Sequence, residues 1–256
     1  MNPAPSDSCI TFADLTVGYD SHAAIHHLSG SIARGSLTAI VGPNGSGKST
    51  LIKSVVGLLK PMSGTCRVAP GLGIAYLPQL SELDRNFPAR VKDLVALGLW
   101  RKRGLLGRHR PEDRQAIADA LHAVGLEGFD ARPIDSLSGG QLQRALFARV
   151  VVQDADLILL DEPFNAVDEK TIRDLITLIH RWHGEGRTVV VVAHDLDLVR
   201  ASFPEALLLA RRPIAWGPSP EVVTSENMQR ARQFQEAWDD NAPWCEPSPA
   251  AVREVA

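Results

Sequence analysis

This chain of 256 residues predicts an α/β fold built on a largely parallel sheet. Three observations carry that prediction. An apolar run, Leu37–Val41, ends in a glycine-rich turn and passes into a helix-like stretch, Leu51–Val56. Further on, amphipathic and aliphatic stretches alternate: helix Gln141–Val152, strand Asp156–Asp161, helix Glu169–Trp182, strand Thr188–Ala193. The aliphatic runs carry almost no polar residue, the mark of strands buried on both faces by covering helices.

Composition narrows the class. Apolar content of 45% and charged content of 22% are ordinary for a globular chain that can bury a full core. A net charge of −3 gives no electrostatic case for nucleic acid as a partner. Cys9, Cys66 and Cys245 are scattered, with no Cys-x-x-Cys pair, so neither a disulfide framework nor a zinc ribbon is indicated and a reduced setting is expected. Residues 1–8 lack the charged start and apolar stretch of a signal peptide. Aliphatic runs such as Leu157–Leu160 and Val189–Ala193 fall far short of the ~18 residues of a membrane span.

The elements follow in order. In 9–41, Ile10, Phe12, Leu15 and Val17 partly alternate with polar neighbours, and Gly18, Gly30 and Gly35 mark turns, which reads as short strands. His22, His26 and His27 fall in one of the loops between them. A helix over 48–58 ends near Gly57, Pro61-Met62-Ser63-Gly64 turns, and Thr65–Tyr76 holds one or two strands that close at Leu77-Pro78-Gln79. The character then changes. Val91, Leu94, Val95 and Leu97 have helical spacing, as does Ile117–Val124 after a Pro111-Glu112-Asp113 start. This is an inserted helical lobe, with a basic loop over 101–110. A solvated loop, a protein contact and a touch point for anionic lipid all fit that loop. A short helix Asp195–Arg200, a strand Ala206–Ala210 and a helix Pro220–Ala237 follow, and 239–256, with three prolines, reads as a mobile tail.

The chemistry centres on Gly42-Pro43-Asn44-Gly45-Ser46-Gly47-Lys48-Ser49-Thr50, which fits the phosphate-loop pattern G-x-x-x-x-G-K-[ST]. A triphosphate needs many donors in a small space, so the backbone must curl until its N–H groups point inward. Glycine permits the curl and leaves room for the phosphate. The following helix adds unpaired N–H groups and the positive end of its dipole. Lys48 can reach the outer phosphates and the Ser49 hydroxyl can hold Mg²⁺. Leu157–Leu160 runs into Asp161 and Glu162, at a strand end where ligands sit in open α/β sheets. Asp161 is placed to hold Mg²⁺ and Glu162 to orient or deprotonate an attacking water. Ser138-Gly139-Gly140-Gln141 precedes a helix and makes either a second anion-receptive N-terminus or an ordinary cap.

Taken together, residues 9–232 resemble the ATP-binding subunits of ABC transporters. The motifs are Tyr19 (adenine-stacking loop), Gly42 to Thr50 (Walker A), Gln79 (Q-loop), Leu137 to Gln141 (signature), Leu157 to Glu162 (Walker B), Asn165-Ala166-Val167-Asp168 (D-loop) and His194 (switch). The resemblance implies the P-loop ATPase fold of that family over 9–238, with an antiparallel β subdomain at the N-terminus and a helical subdomain at about 80–152 inserted in the core. It implies a homodimer in which each ATP, with Mg²⁺, lies between the Walker loop of one copy and the signature of the other. Tyr19 would stack on adenine, with a core tyrosine as the plain alternative. Gln79 would join Mg²⁺ to a membrane permease, His194 would hold the γ-phosphate and water, and Asp168 would sit at the dimer seam. Asn165 and Val167 depart from the commoner Ser-Ala-Leu-Asp of this loop.

Cargo is read from likeness alone. Phe87-Pro88-Ala89-Arg90-Val91-Lys92-Asp93-Leu94-Val95 resembles a stretch of manganese, zinc and iron uptake ATPases, which implies import of a divalent cation, zinc slightly ahead of manganese. It also implies a place at the cytoplasmic face of the cell membrane and, at one remove, an extracytoplasmic solute-binding protein. Siderophore, haem and cobalamin importers share much of the pattern, and an iron–sulfur assembly ATPase is the alternative without a permease. His22, His26 and His27, and His180 with His183, are read as surface groups rather than metal ligands.

Overall fold

Two long strands open the fold in the computed structural model of the chain, which describes residues 8–20, 22–85, 87–104, 110–165 and 167–236. β1 (Ser8–Tyr19) and β2 (His22–Ala33) pair antiparallel through several bulges. At two successive bulges Asp14 and His27 take positive φ (48° and 52°), and His27 Nδ1 lies 2.8 Å from Asp14 Oδ1. Bulges break the period of two, which is why the polar–apolar alternation reads as several short strands. The chain continues as β3 (Leu37–Val41), α1 (Lys48–Val55), β4 (Ser63–Val68) and β5 (Ile74–Leu77). Next come α2 (Val91–Ala96), α3 (Trp100–Arg103), α4 (Pro111–Ala123), α5 (Gly139–Gln153), β6 (Leu157–Asp161) and α6 (Glu169–Gly184). It closes with β7 (Thr188–Val192), α7 (Leu196–Ser202), β8 (Glu205–Leu209), β9 (Pro213–Pro218), α8 (Ser219–Val222) and α9 (Ser225–Glu236). The basic-loop residues 105–109 and the tail with Trp238, Trp244 and Cys245 lie outside the described residues.

The described residues form two compact units. The first takes those up to Gly71 and from Val192 onward. Its strands β2-β1-β4 make an antiparallel sheet, while β3 pairs parallel to β8 and β8 antiparallel to β9. The sequence reading has no counterpart to β9. Pro213 and Pro218 bound it, and proline is tolerated in a strand only at an edge or a strand end. Tertiary pairing with β8 and the ring of Trp216 hold it. Trp216 lies so close over Gly30 that a Cβ there would fall 2.6 Å from the ring, and its centroid is 6.2 Å from that of Phe12. The single helix expected over 220–237 is two, α8 and α9. The break is stabilised where Arg200 Nε donates to the Val223 carbonyl and Thr224 Oγ1 accepts from the Asn227 N–H.

The second unit spans Leu72–Val191. It holds strands β5-β6-β7, with β5 and β6 parallel and every residue of β6 and β7 buried. Pro111 opens α4, and buried Asp113 accepts from the Arg110 N–H and from Arg103 Nε and Nη2, which ties α3 to the first turn of α4. α5 packs against α2 and α4, and Phe147 on α5 stacks on Trp182 of α6 at 5.9 Å. Gly98 accommodates that packing: a Cβ there would meet the Arg149 carbonyl at 2.5 Å.

The histidine cluster is not in a loop: His22, His26 and His27 all belong to β2, and His26 is 4% exposed. Burial first, then the Arg212, His27 and Arg211 charges, lowers its pKa from 6.5 to about 4. Across that window the unfolded chain takes up a proton at His26 that the folded chain refuses, so stability is full above the upper value and declines with acidification. His26→Leu is therefore expected to flatten the fall in urea midpoint between neutral pH and pH values near the lower limit. An equal pH slope in variant and parent would show that His26 carries none of it.

Candidate functional site

In the first unit the glycine-rich turn leaves β3 and enters α1. Gly45 (φ 75°) and Gly47 (φ 95°) are left-handed, a region glycine enters freely. The loop is braced on two sides. A Cβ on Gly47 would lie 2.6 Å from Ile25 Cγ1 and 2.8 Å from the Ala24 carbonyl of β2. A Cβ on Gly42 would lie 1.9 Å from the Leu209 carbonyl at the end of β8. Arg211 joins the braces: its N–H donates to the Ser46 carbonyl (3.0 Å) and its carbonyl accepts from His26 N–H (2.7 Å). No pattern in the sequence points to Ala24, Ile25 or Arg211.

Lys48 is buried, and its Nζ donates to the carbonyls of Gly42 (3.0 Å) and Pro43 (2.8 Å). Gly47 caps α1 without a side-chain bond, and the positive end of the helix dipole faces the turn. Asn44 and Gly45 are exposed, Pro43 and Ser49 half-buried, Ser46 and Thr50 buried. Tyr19, at the end of β1, is 47% exposed, which does not fit a core tyrosine. His194 is exposed just beyond β7. Ala193 donates to the Ile40 carbonyl of β3, which sets His194 beside the strand that leads into the turn. Asp195 then caps α7 by accepting from Asp197 and Leu198 N–H groups.

In the second unit Asp161 ends β6 fully buried. Glu162 follows with φ 51°, a left-handed conformation costing an L-residue roughly 1–2 kcal/mol. Asn165 braces it from both ends, by its backbone N–H to the Glu162 carbonyl and by its Nδ2 to the Glu162 carboxylate. Asn165, a departure from the commoner loop sequence, is thus a direct partner of the acidic strand end. Leu77 of β5 is paired with Leu160 of β6, so Gln79 and Glu162 each stand two residues beyond the last paired position. Gln79 is half-buried and opens a 3-10 turn. Ser138 caps α5, accepting from the Gln141 N–H while Gln141 Oε1 accepts from the Ser138 N–H. Asp168 caps α6, and the Thr171 N–H, then its hydroxyl, hold the Asp168 carboxyl below the usual carboxylate range. Ala166 lies outside the described residues.

The oxygens expected to hold Mg²⁺, from Ser49, Gln79 and Asp161, are a hydroxyl, an amide and a carboxylate, a hard donor set that suits that ion. Among the described residues no group of three or more His, Cys, Asp or Glu is arranged to hold a metal, and no helix is long and apolar enough to cross a membrane.

The family model described as ABC transporter matches residues 25–165. The chain belongs to the ABC transporter family. Its ABC relatives include the manganese transport system ATP-binding protein MntB of Listeria monocytogenes, 41% identical, with 85% of this chain and 93% of that protein covered. The zinc transport system ATP-binding protein TroB of Treponema pallidum is also 41% identical, over 85% of this chain and 84% of its own length. Among solved structures, one described as a metal-chelate type ABC transporter in an inward-facing conformation superposes with a TM-score of 0.79 at 28% identity, covering 89% and 90% of the two chains. Membership in this ABC family makes ATP the nucleotide and its hydrolysis the reaction.

Lys48→Ala removes the one ammonium held inside the turn and is expected to weaken nucleotide binding by about tenfold or more. Titration with a fluorescent ATP analogue reads this directly; unchanged affinity would exclude Lys48 as a phosphate ligand.

Proposed function

We propose that the chain is the ATP-hydrolysing subunit of an importer for a divalent metal cation, working as a homodimer beneath a separate membrane permease at the cytoplasmic face. The observation that carries this reading is 41% identity, over 85% of the chain, to ATP-binding proteins of both a manganese and a zinc transport system. The two relatives are equally similar, so they lend no weight to zinc over manganese as cargo. Neither nucleic acid nor a bound cargo ion is called for at this subunit, and the cation is the transporter's substrate rather than a resident cofactor. An extracytoplasmic solute-binding protein would deliver it.

The roles of the site residues belong to the same proposal. The backbone of Gly42 to Thr50 and the Lys48 ammonium bind the phosphates, and Tyr19, exposed at a strand end, offers its ring to adenine. Ser49, Gln79 and Asp161 would hold Mg²⁺, which when bound neutralises phosphate charge. Glu162 takes the proton of the attacking water at its carboxylate, and its braced backbone fixes the direction of that side chain. His194 donates to the γ-phosphate. Ser138, Gly139, Gly140 and Gln141 offer the exposed N-terminus of α5 to the nucleotide of the second copy, with Asp168 at the seam. Closing and opening follow from the difference in affinity that the γ-phosphate makes between the two states.

The permease would dock on the helical lobe. Phe87 (63% exposed), Leu97 (49%) and Trp100 (54%) are large apolar side chains left in water on that segment, and an apolar loop of a membrane partner would cover them.

Glu162→Gln is expected to reduce turnover by at least about a thousandfold while ATP binding persists and a dimer accumulates on size exclusion. Wild-type turnover in that variant would remove Glu162 from the mechanism. Trp100→Asp should lose the co-purifying permease from membranes while the free subunit hydrolyses ATP as before. Retention of the permease would move the docking surface elsewhere. Uptake of zinc and of manganese in a strain lacking the chain decides the cargo, and loss of neither would overturn metal import.

A further inference from the structure

Arg144 lies on α5, six residues after Ser138. Its Nη1 donates to the Val124 carbonyl at the end of α4 (3.0 Å), and its Nη2 to Asp174 Oδ2 (2.8 Å) and to Thr171 Oγ1 (3.1 Å). Thr171 is buried in the first turn of α6, and its hydroxyl lies 3.1 Å from Asp168 Oδ2. Chemistry fixes the direction of this chain. A guanidinium only donates, so the Thr171 hydroxyl must accept from Arg144, and its single proton is left for the Asp168 carboxylate.

The ordinary tasks of these groups do not need that joint. The Thr171 backbone N–H alone satisfies the cap by donating to Asp168 Oδ1 at 2.9 Å. The Arg144–Asp174 ion pair alone ties α5 to α6. What the hydroxyl adds is a direct link between the helix that begins with Ser138 and the carboxylate of Asp168. Gly140 lies against the same groups: a Cβ there would sit 3.7 Å from Thr171 Oγ1, 3.8 Å from Asp168 Oδ2 and 3.9 Å from Val167 Cγ1.

We propose that Thr171, held by Arg144, is a positioning residue that locks Asp168 to the start of α5, so that the 138–141 motif and the loop ending at Asp168 move as one piece when nucleotide is gripped. The proposal rests on the reading above that both motifs face a second copy of the chain. Through the Val124 carbonyl the same guanidinium joins this piece to α4, so a displacement of the helical lobe reaches Asp168 without passing through the Walker loop.

The test uses the full-length chain and four variants: Thr171→Val, which keeps shape and cap but removes the hydroxyl; Thr171→Ser, which restores it; Arg144→Lys; and the double Arg144→Lys/Thr171→Val. Thr171→Val should bind a fluorescent ATP analogue within about twofold of wild type. Its kcat should fall about tenfold and its Hill coefficient for ATP should drop from about 2 towards 1, as for two sites that lose their coupling. Thr171→Ser should recover both. The double variant should lose no more than the worse single, since both substitutions act on one joint. Wild-type kcat and Hill coefficient in Thr171→Val would overturn the proposal, as would a Thr171→Ser loss equal to that of Thr171→Val, or additive losses in the double. If Thr171→Val melts early, the Thr171→Ser and Arg144→Lys pair still decides: a cooperative serine variant beside a non-cooperative lysine variant supports the joint, and any other pattern refutes it. Failure of the underlying reading looks different, because the wild-type chain would then show no cooperativity and no ATP-dependent dimer.

Discussion

A backbone that must turn its N–H groups inward within a few residues has no room for side chains on its outer wall. That constraint governs the first unit. Gly47 is pressed against Ile25 and the Ala24 carbonyl, and Gly42 against the end of β8, so the curl between them is held by contact on both sides. The bracing comes from β2 and from the residues after β8, far apart in the chain. A loop of this kind is thus a product of tertiary packing, although its residue types are a local signal. The left-handed Arg211, bonded on one side to Ser46 and on the other to His26, completes the brace and brings a buried imidazole within reach of two arginines.

In the second unit two neighbouring carboxylates are held by different means. Asp161 is fixed by a strand that is buried along its whole length. Glu162 is fixed by an unfavourable backbone angle that Asn165 holds at two points. Strain of this sort persists only where surrounding bonds over-determine the position. α5 serves both sides of the unit: Arg144 reaches α6, while Arg149, half-buried and with its pKa lowered by desolvation, donates to the Tyr76 carbonyl three residues ahead of Gln79. One helix therefore ties the strand before Gln79 to the turn after Asp168.

The parts of this fold that could be read from the chain are those where one physical signal acts alone. The strand–turn–helix around Lys48, the fully buried β6 and β7, and the cap at Ser138 each follow from local pattern. β9 could not be read, because prolines at both ends argue against a strand and only pairing with β8 and the contact of Trp216 with Gly30 outweigh them. The break between α8 and α9 was hidden for a similar reason: it is stabilised by Arg200, from another helix. His26 misled because a polar residue next to a second histidine looks like a loop, whereas a bulge turns it into the core. The candidate residues of each unit stand at strand ends, in the turn after β3 or at helix caps. The groups that hold them, Ile25, Arg211, Asn165 and Thr171, carry no signature, since each acts through one contact made in three dimensions.

β9 ends its sheet, and proline stands at both of its termini. An outermost strand with free backbone groups is a template onto which another polypeptide can zip, and a missing N–H at each end shortens that template. Self-association by continuous strand addition is thereby discouraged along this border. In the homodimer proposed above, contacts between copies would then fall on helices and loops, where they can form and release instead of growing into a fibre.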